Sequence, residues 1–206
     1  PEIPSAQIKS AVLLAGLHAD GITTVHEPAP TRDHTERALV AFGGTVSTEG
    51  TRVSVPGGQQ LTARDLSVPG DFSSAAFWLV AAAATAGASI EIEHVGLNPT
   101  RTGLLDILRR FGARVTVTQT TADAGEPQGT IRVEHVEVRS VEVSPDEVPG
   151  LIDELPAIAA LAAAGGQVVV SGAAELRVKE SDRIATLVAG FRALGLSAIE
   201  RPDGFV

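Results

Sequence analysis

One helical pattern returns three times along this chain, and each time polar residues open an apolar helix. The copies are PSAQIKSAVLLAGL (4–17), VPGDFSSAAFWLVAAAA (68–84) and VPGLIDELPAIAALAAAG (148–165). Each is followed by a short β-like run and then by a second helix that ends near a glycine, at Gly43, Gly112 and Gly195. Those glycines are 69 and then 83 residues apart, the extra length falling in a polar loop around 120–129. Self-similarity on this scale fixes an architecture before any single motif is read, because each copy is one supersecondary unit. Polar helix starts lined up by repetition are natural seats for phosphate and carboxylate groups, since the first backbone N–H groups of a helix lack partners.

The pattern reads as helix 8–18, strand 22–27, helix 33–42 and strands 45–47 and 53–55 in the first copy. The second gives helix 73–85, strand 89–93, helix 103–111 and strands 114–119 and 130–134; the third gives helix 155–163, strand 167–171, helix 181–194 and a strand start at 197–200. A leading strand fits before the second copy at Leu66 and before the third at 141–143, so each unit is βαβαββ in an α/β fold. Residues 1–4 enter the first helix with no leading strand. Residues 202–206 stop where a final strand should pair, so the chain is expected to be a slice of something longer.

Composition narrows the function classes. The chain is 44% hydrophobic but only 3% aromatic, so its core must be built from Ala, Val, Leu and Ile. With no cysteine, it has no disulfides, thiolate metal sites or Cys nucleophile. No apolar run reaches membrane-spanning length without interruption and no signal-like segment opens the chain, so a soluble cytoplasmic protein is expected. A formal charge of −9 argues against nucleic acid, whose binding needs a basic footprint. Only two lysines occur, Lys9 and Lys179, and both fall inside the segments already singled out; the alternative is scattered surface lysines.

Chemistry-bearing residues gather at the helix starts. In ELRVKESDR (175–183), Lys179 and Arg183 flank Glu180, which suits an anion clamp with a carboxylate as proton donor or acceptor. The alternative is a solvated helix start capped by Ser181. Asp153 and Glu154 open the third copy's helix, either as caps or with the helix dipole holding a carboxylate ionised to accept a proton. Asp71 reads as a structural cap, and Ser5 and Gln7 put a hydroxyl and an amide beside free N–H groups. Arg32 and Arg101 hold matching places before the second helices of their copies. His34, beside Arg32, reads as structural or merely exposed. No metal-ligand spacing, Walker loop or GxGxxG after a strand is present, and no cofactor is expected.

With PSAQIKSA, TRDHTE, VPGDFSSAA, IDELP and RVKESDR in this order, the chain closely resembles the 3-phosphoshikimate 1-carboxyvinyltransferase (EPSP synthase) family over essentially its whole length. RVKESDR is the most specific of these; the related UDP-N-acetylglucosamine enolpyruvyltransferases share the repeats but not that segment. The resemblance implies two domains of βαβαββ units, the inside-out α/β barrel of enolpyruvyl transferases, with this chain holding about three of about six units. Residues 1–66 would be the last unit of one domain and 67–206 two units of the other.

The implied reaction joins phosphoenolpyruvate to shikimate 3-phosphate through a tetrahedral intermediate, with loss of phosphate. By position, Asp153 matches the proton acceptor at the shikimate hydroxyl, and Glu180 the carboxylate that exchanges a proton with the methylene carbon. Ser5, Ala6 and Gln7 match the site for the phosphate of shikimate 3-phosphate, with Gln7 also near phosphoenolpyruvate. Lys179 and Arg32 match contacts to shikimate 3-phosphate, and Arg183 one to phosphoenolpyruvate. The intact enzyme is expected to be a cytoplasmic monomer without cofactors. The family's N-terminal Lys-Ser pair and nearby Arg, its Gly-Asn-Ala-Gly-Thr loop and its C-terminal Asp-His-Arg segment and final Lys have no counterpart here. The chain alone is therefore expected to turn over poorly, and the competing reading is an inactive fragment serving as a folded anion-binding or structural module.

Overall fold

A computed structural model describes all 206 residues apart from the side chain of Thr121. The chain forms two compact units, one of residues 1–69 with 120–128, the other of residues 70–119 with 129–206. It is a mixed α/β structure in which the repeat is visible as three sheets of one design.

In the first unit, α1 (Ala6–Gly16), β1 (Ile22–His26), α2 (His34–Ala41), β2 (Ser47–Glu49) and β3 (Arg52–Pro56) follow in order. The sheet order is β1-β3-β2, antiparallel throughout, with Val25 opposite Val53 and Thr23 opposite Val55. Alternation along ITTVH and RVSVP sends Val25, Val53 and Val55 inward, where they meet Leu13 and Leu17 of the α1 region and Leu39 of α2. Leu13 of α1 faces inward, whereas Val12 is exposed.

In the second unit, α3 (Phe72–Ala84), β4 (Ser89–Gly96) and α4 (Leu104–Phe111) precede the long strands β5 (Arg114–Asp123) and β6 (Glu126–Glu134). There the order is β4-β6-β5. The last repeat runs β7 (Val141–Val143), α5 (Leu155–Ala159), β8 (Val168–Val170), α6 (Arg183–Ala193), β9 (Glu200–Arg201) and β10 (Gly204–Phe205), in the order β7-β8-β10-β9. β7 runs parallel to β8, as a strand joined through a helical crossover must. One apolar cluster fills this unit, drawn from α3, from the Leu104, Ile107, Leu108 and Phe111 face of α4, and from Leu155, Ile158, Val168, Val170 and Ile184.

Four expectations are corrected. The leading strand sought at Leu66 is a single parallel bridge between Gly70 and Val95. The polar loop around 120–129 is a β-hairpin: Ala124 and Gly125 both adopt positive φ (50° and 75°), the two-residue turn whose twist matches that of the strands. The helix expected over 155–163 is α-helical only to Ala159 and tightens into a 3-10 turn over Ala160–Ala164, closed by Gly165 at φ 105°. A final strand is present: β10 pairs Phe205 with Val170 of β8.

Gly204 makes that pairing possible. A Cβ there would lie 1.9 Å from the carbonyl oxygen of Val170. Gly204→Ala is expected to force β10 away from β8 and lower stability by about 2 kcal/mol or more. A urea unfolding midpoint equal to the wild type's would contradict this. Leu108→Ala, at a fully buried position of α4, should cost about 3 kcal/mol in the same assay with an unchanged slope.

Candidate functional site

Each unit places part of the expected residue set. In the first, Ser5 caps α1 in extended conformation (φ −144°, ψ 111°), its Oγ accepting from the N–H of Ile8 at 3.3 Å. Ala6 is half-buried and Gln7 exposed. Arg32 is half-buried in the loop between β1 and α2. His34 is exposed, its Nδ1 2.7 Å from Glu126 Oε1.

Lys9 is not a surface lysine. It is 1% exposed, with Nζ 2.7 Å from Glu36 Oε1 and 3.1 Å from Glu27 Oε2. The Thr31 hydroxyl donates to the other oxygen of Glu27. Nothing in the sequence marked Glu27 or Glu36 as its partners. The available signal was a lysine in the first turns of a helix whose other inward-facing positions are apolar.

In the second unit the candidates are linked through two guanidinium groups. Arg101 Nη1 donates to Asp153 Oδ2 at 3.1 Å, while its Nη2 lies 3.4 Å from Glu154 Oε1 and 3.9 Å from Asp71 Oδ1. That Nη2 also donates to the Ser73 hydroxyl, which in turn donates to Glu154 Oε1 at 2.7 Å. Glu154 is 2% exposed, so its charge is compensated inside the protein. Arg183 faces the other side of Asp153, with Nη1 4.0 Å from Oδ1, and binds Glu180 Oε2 through Nη2 at 2.5 Å. A continuous path of charge therefore runs Glu180–Arg183–Asp153–Arg101–Glu154. Lys179, expected to clamp an anion with Arg183, is paired with Glu175.

The expected capping roles change in two places. Neither Asp153 nor Glu154 caps α5: the helix starts at Leu155, and no side-chain bond closes its N-terminus. Five residues carry little macrodipole, so the charge of Asp153 is met by the two arginines instead. Asp182, not Ser181, caps α6, accepting from the N–H of Ala185 at 3.0 Å and from Arg177 at 2.7 Å. The Ala185 N–H is the main reason its carboxyl lies below the ordinary range; partial burial opposes the shift and Arg177 adds to it. Asp71 does cap α3, accepting from the N–H groups of Ser73 and Ser74 at 3.0 and 3.1 Å. Burial works against its charge, but these donors, the Ser74 hydroxyl and Arg101 together hold its carboxyl below the ordinary range. Glu180 is likewise held low, by its own backbone N–H and then by Arg183, so it is a carboxylate at neutral pH.

Among the described residues, no group of three or more His, Asp or Glu side chains is placed to hold a metal ion. No described helix is long and apolar enough to cross a membrane. The fold and its charged helix starts define an α/β repeat protein in which arginines bridge carboxylates from separate segments of the chain.

The family model for EPSP synthase (3-phosphoshikimate 1-carboxyvinyltransferase) matches residues 1–206, and the chain belongs to that family. It is 52% identical over 205 residues to the 3-phosphoshikimate 1-carboxyvinyltransferase of Acidithiobacillus ferrooxidans, a match covering 99% of this chain and 47% of the relative. It is 51% identical over 202 residues to that of Thermus thermophilus, covering 98% and 47%. A solved structure of EPSP synthase from Acinetobacter baumannii superposes with a TM-score of 0.89 at 49% identity, covering 98% of this chain and 46% of that one. The chain thus spans about half the length of the curated relatives it matches.

Two outcomes follow from the charge network. Arg101→Ala leaves Glu154 buried without its guanidinium and should cost about 3 kcal/mol in urea unfolding. Adding Glu154→Gln should recover part of that loss; strictly additive effects would show that the two are not coupled. For Asp71, a lowered folded-state pKa means stabilisation that is present above the unfolded value of about 3.9 and lost as pH falls through the lower folded value. Asp71→Asn, which keeps the cap, should therefore flatten the acid limb of stability against pH. An unchanged acid limb would contradict this.

Proposed function

We propose that this chain serves in the transfer of the enolpyruvyl group from phosphoenolpyruvate to shikimate 3-phosphate, releasing phosphate, a step of aromatic amino-acid biosynthesis. The observation that carries the reading is Arg183 lying between the carboxylates of Glu180 and Asp153, which come from separate segments of the chain. A cation between two carboxylates marks where an anionic substrate would be held beside two groups able to exchange protons with it.

In this reading Asp153 takes the proton from the shikimate hydroxyl as its oxygen bonds to the central carbon of phosphoenolpyruvate, while Glu180, whose side chain is open to water, passes a proton from solvent to the methylene carbon. The tetrahedral adduct then collapses: the carbon–oxygen bond to phosphate breaks, phosphate leaves, and Glu180 accepts a proton from the methyl group to restore the double bond. Ser5, Ala6 and Gln7 hold the phosphate of shikimate 3-phosphate at the N-terminus of α1, with Gln7 also reaching phosphoenolpyruvate. Arg32 and Lys179 contact shikimate 3-phosphate, and Arg183 the phosphoenolpyruvate carboxylate or phosphate. Residues 1–66 belong to one domain of the whole enzyme and 67–206 to the other, and that enzyme works as a cytoplasmic monomer.

Calorimetric titration of shikimate 3-phosphate into the 206-residue chain is the direct test. Saturable binding is expected, weakened about tenfold or more by Arg32→Ala, in line with loss of a charge-assisted contact of about 1.5–3 kcal/mol. Binding that ignores Arg32→Ala, Gln7→Ala and Lys179→Ala would favour a structural module. In a polypeptide of the relatives' full length carrying this segment, Asp153→Asn should cut kcat about 100-fold or more while substrate affinity stays within about threefold. Retained turnover would reject the base assignment.

A further inference from the structure

Lys9 lies one turn beyond the Ser5 cap of α1, and its two carboxylate partners bracket the loop that carries Arg32. Glu27 follows the end of β1 and Glu36 lies in the first turn of α2. The loop between them is tied at both ends. Thr31 donates to Glu27, and Ser10 of α1 meets Thr35 of α2 through their hydroxyls at 2.6 Å. The helix start bearing Ser5, Ala6 and Gln7 is thus joined to the Arg32 loop through one buried ammonium and one hydroxyl pair.

As a stabilising device this cluster is poorly made. It buries one positive charge with two negative ones, and Glu36 Oε2 is buried with no hydrogen-bond partner. Desolvating three charges costs several kcal/mol per ion, and such groups can often be replaced by neutral residues of similar shape with no loss of stability. What a buried ion cluster does supply is geometry, because the ammonium must satisfy both carboxylates at once and each sits on a different element.

We propose that Lys9, with Glu27 and Glu36, is a positioning cluster that locks the α1 N-terminus and the Arg32 loop into one rigid anion-receiving surface. It acts through Ser5–Gln7 and Arg32 and does not itself touch the ligand. The inference rests on the reading that those residues receive shikimate 3-phosphate, and its test separates the two.

The test compares the 206-residue wild type with the triple variant Lys9→Met/Glu27→Gln/Glu36→Gln, which removes all three charges with little change of shape. Lys9→Met alone would strand two buried carboxylates and lower stability for a trivial reason. Hydrogen exchange is followed by mass spectrometry in the segments 5–10 and 27–35 and in the strands β1 and β3. Shikimate 3-phosphate binding is followed by calorimetry, with Arg32→Ala as a second comparison.

The triple variant should unfold cooperatively and keep the wild-type protection of β1 and β3. Its two segments should exchange about tenfold faster or more, and its affinity for shikimate 3-phosphate should fall about tenfold or more. Unchanged exchange in the two segments would overturn the proposal, as would faster exchange with wild-type affinity. Outright unfolding of the triple variant would show the cluster to be a stabiliser and overturn it equally. Absence of shikimate 3-phosphate binding by the wild type would instead count against the substrate reading, and the exchange comparison would still decide the role of the cluster.

Discussion

Everything in this fold depends on the last strand of each repeat returning to pair with the second. β3 lies between β1 and β2, β6 between β4 and β5, and β10 between β8 and β9. That strand is central, hydrogen-bonded on both edges, so without it the second and third strands of a repeat would have no partner between them. The return requires close backbone approach. Gly129 in β6 and Gly204 in β10 meet it, since a Cβ at either would fall 2.1 or 1.9 Å from a carbonyl oxygen of a neighbouring strand. Once the sheet is closed, the βα connections that precede α2 and α6 are fixed at defined places; Arg32 sits on the first, and Lys179, Glu180 and Arg183 on or at the end of the second.

A second layer of organisation is electrostatic. With few aromatic side chains and an Ala-rich core, the chain has little shape-specific packing to hold its loops. Arginine and one buried lysine take over that task. Arg101 gathers Asp71 and Ser73 from one segment and Asp153 and Glu154 from another, and Lys9 gathers Glu27 and Glu36 from two. A planar guanidinium with five donors suits the first role, because it bonds several acceptors in one plane. In both clusters carboxylates outnumber cations. In each, one cation meets carboxylates from separate segments, and buried ion clusters of this kind are weak contributors to net stability.

Where reading the chain as a line succeeded, the determinant was local. The amphipathic spacing of LLDILRRF places Leu104, Leu105, Ile107, Leu108 and Phe111 inside as a 3.6-residue period requires, and VEV alternates as a strand should. Asp71 is a cap because a carboxylate two and three residues before free N–H groups can reach them whatever surrounds it. Failure came where the deciding partner is remote in sequence. Asp153 looked like a helix cap, but its charge is met by Arg101, 52 residues away. Lys9 read as a cation of the singled-out segments, with a surface position as the alternative, but it is buried against Glu27, 18 residues on. The hairpin turn at Ala124-Gly125 was hidden because Ala at positive φ is not a turn signal; the long strands on either side impose it.

The sequence by itself determined the repeat, the α/β class, most of the elements and the family, because periodicity, capping and short motifs are properties of neighbouring residues. It also named the residues proposed to meet substrate, as matches to family motifs. Only the tertiary structure decided which charges meet: Arg183 between Glu180 and Asp153, Arg101 against Glu154, Lys9 between two glutamates. Coulombic pairing falls with distance in space and not along the chain, so it becomes defined only when the last strand of each repeat has closed its sheet.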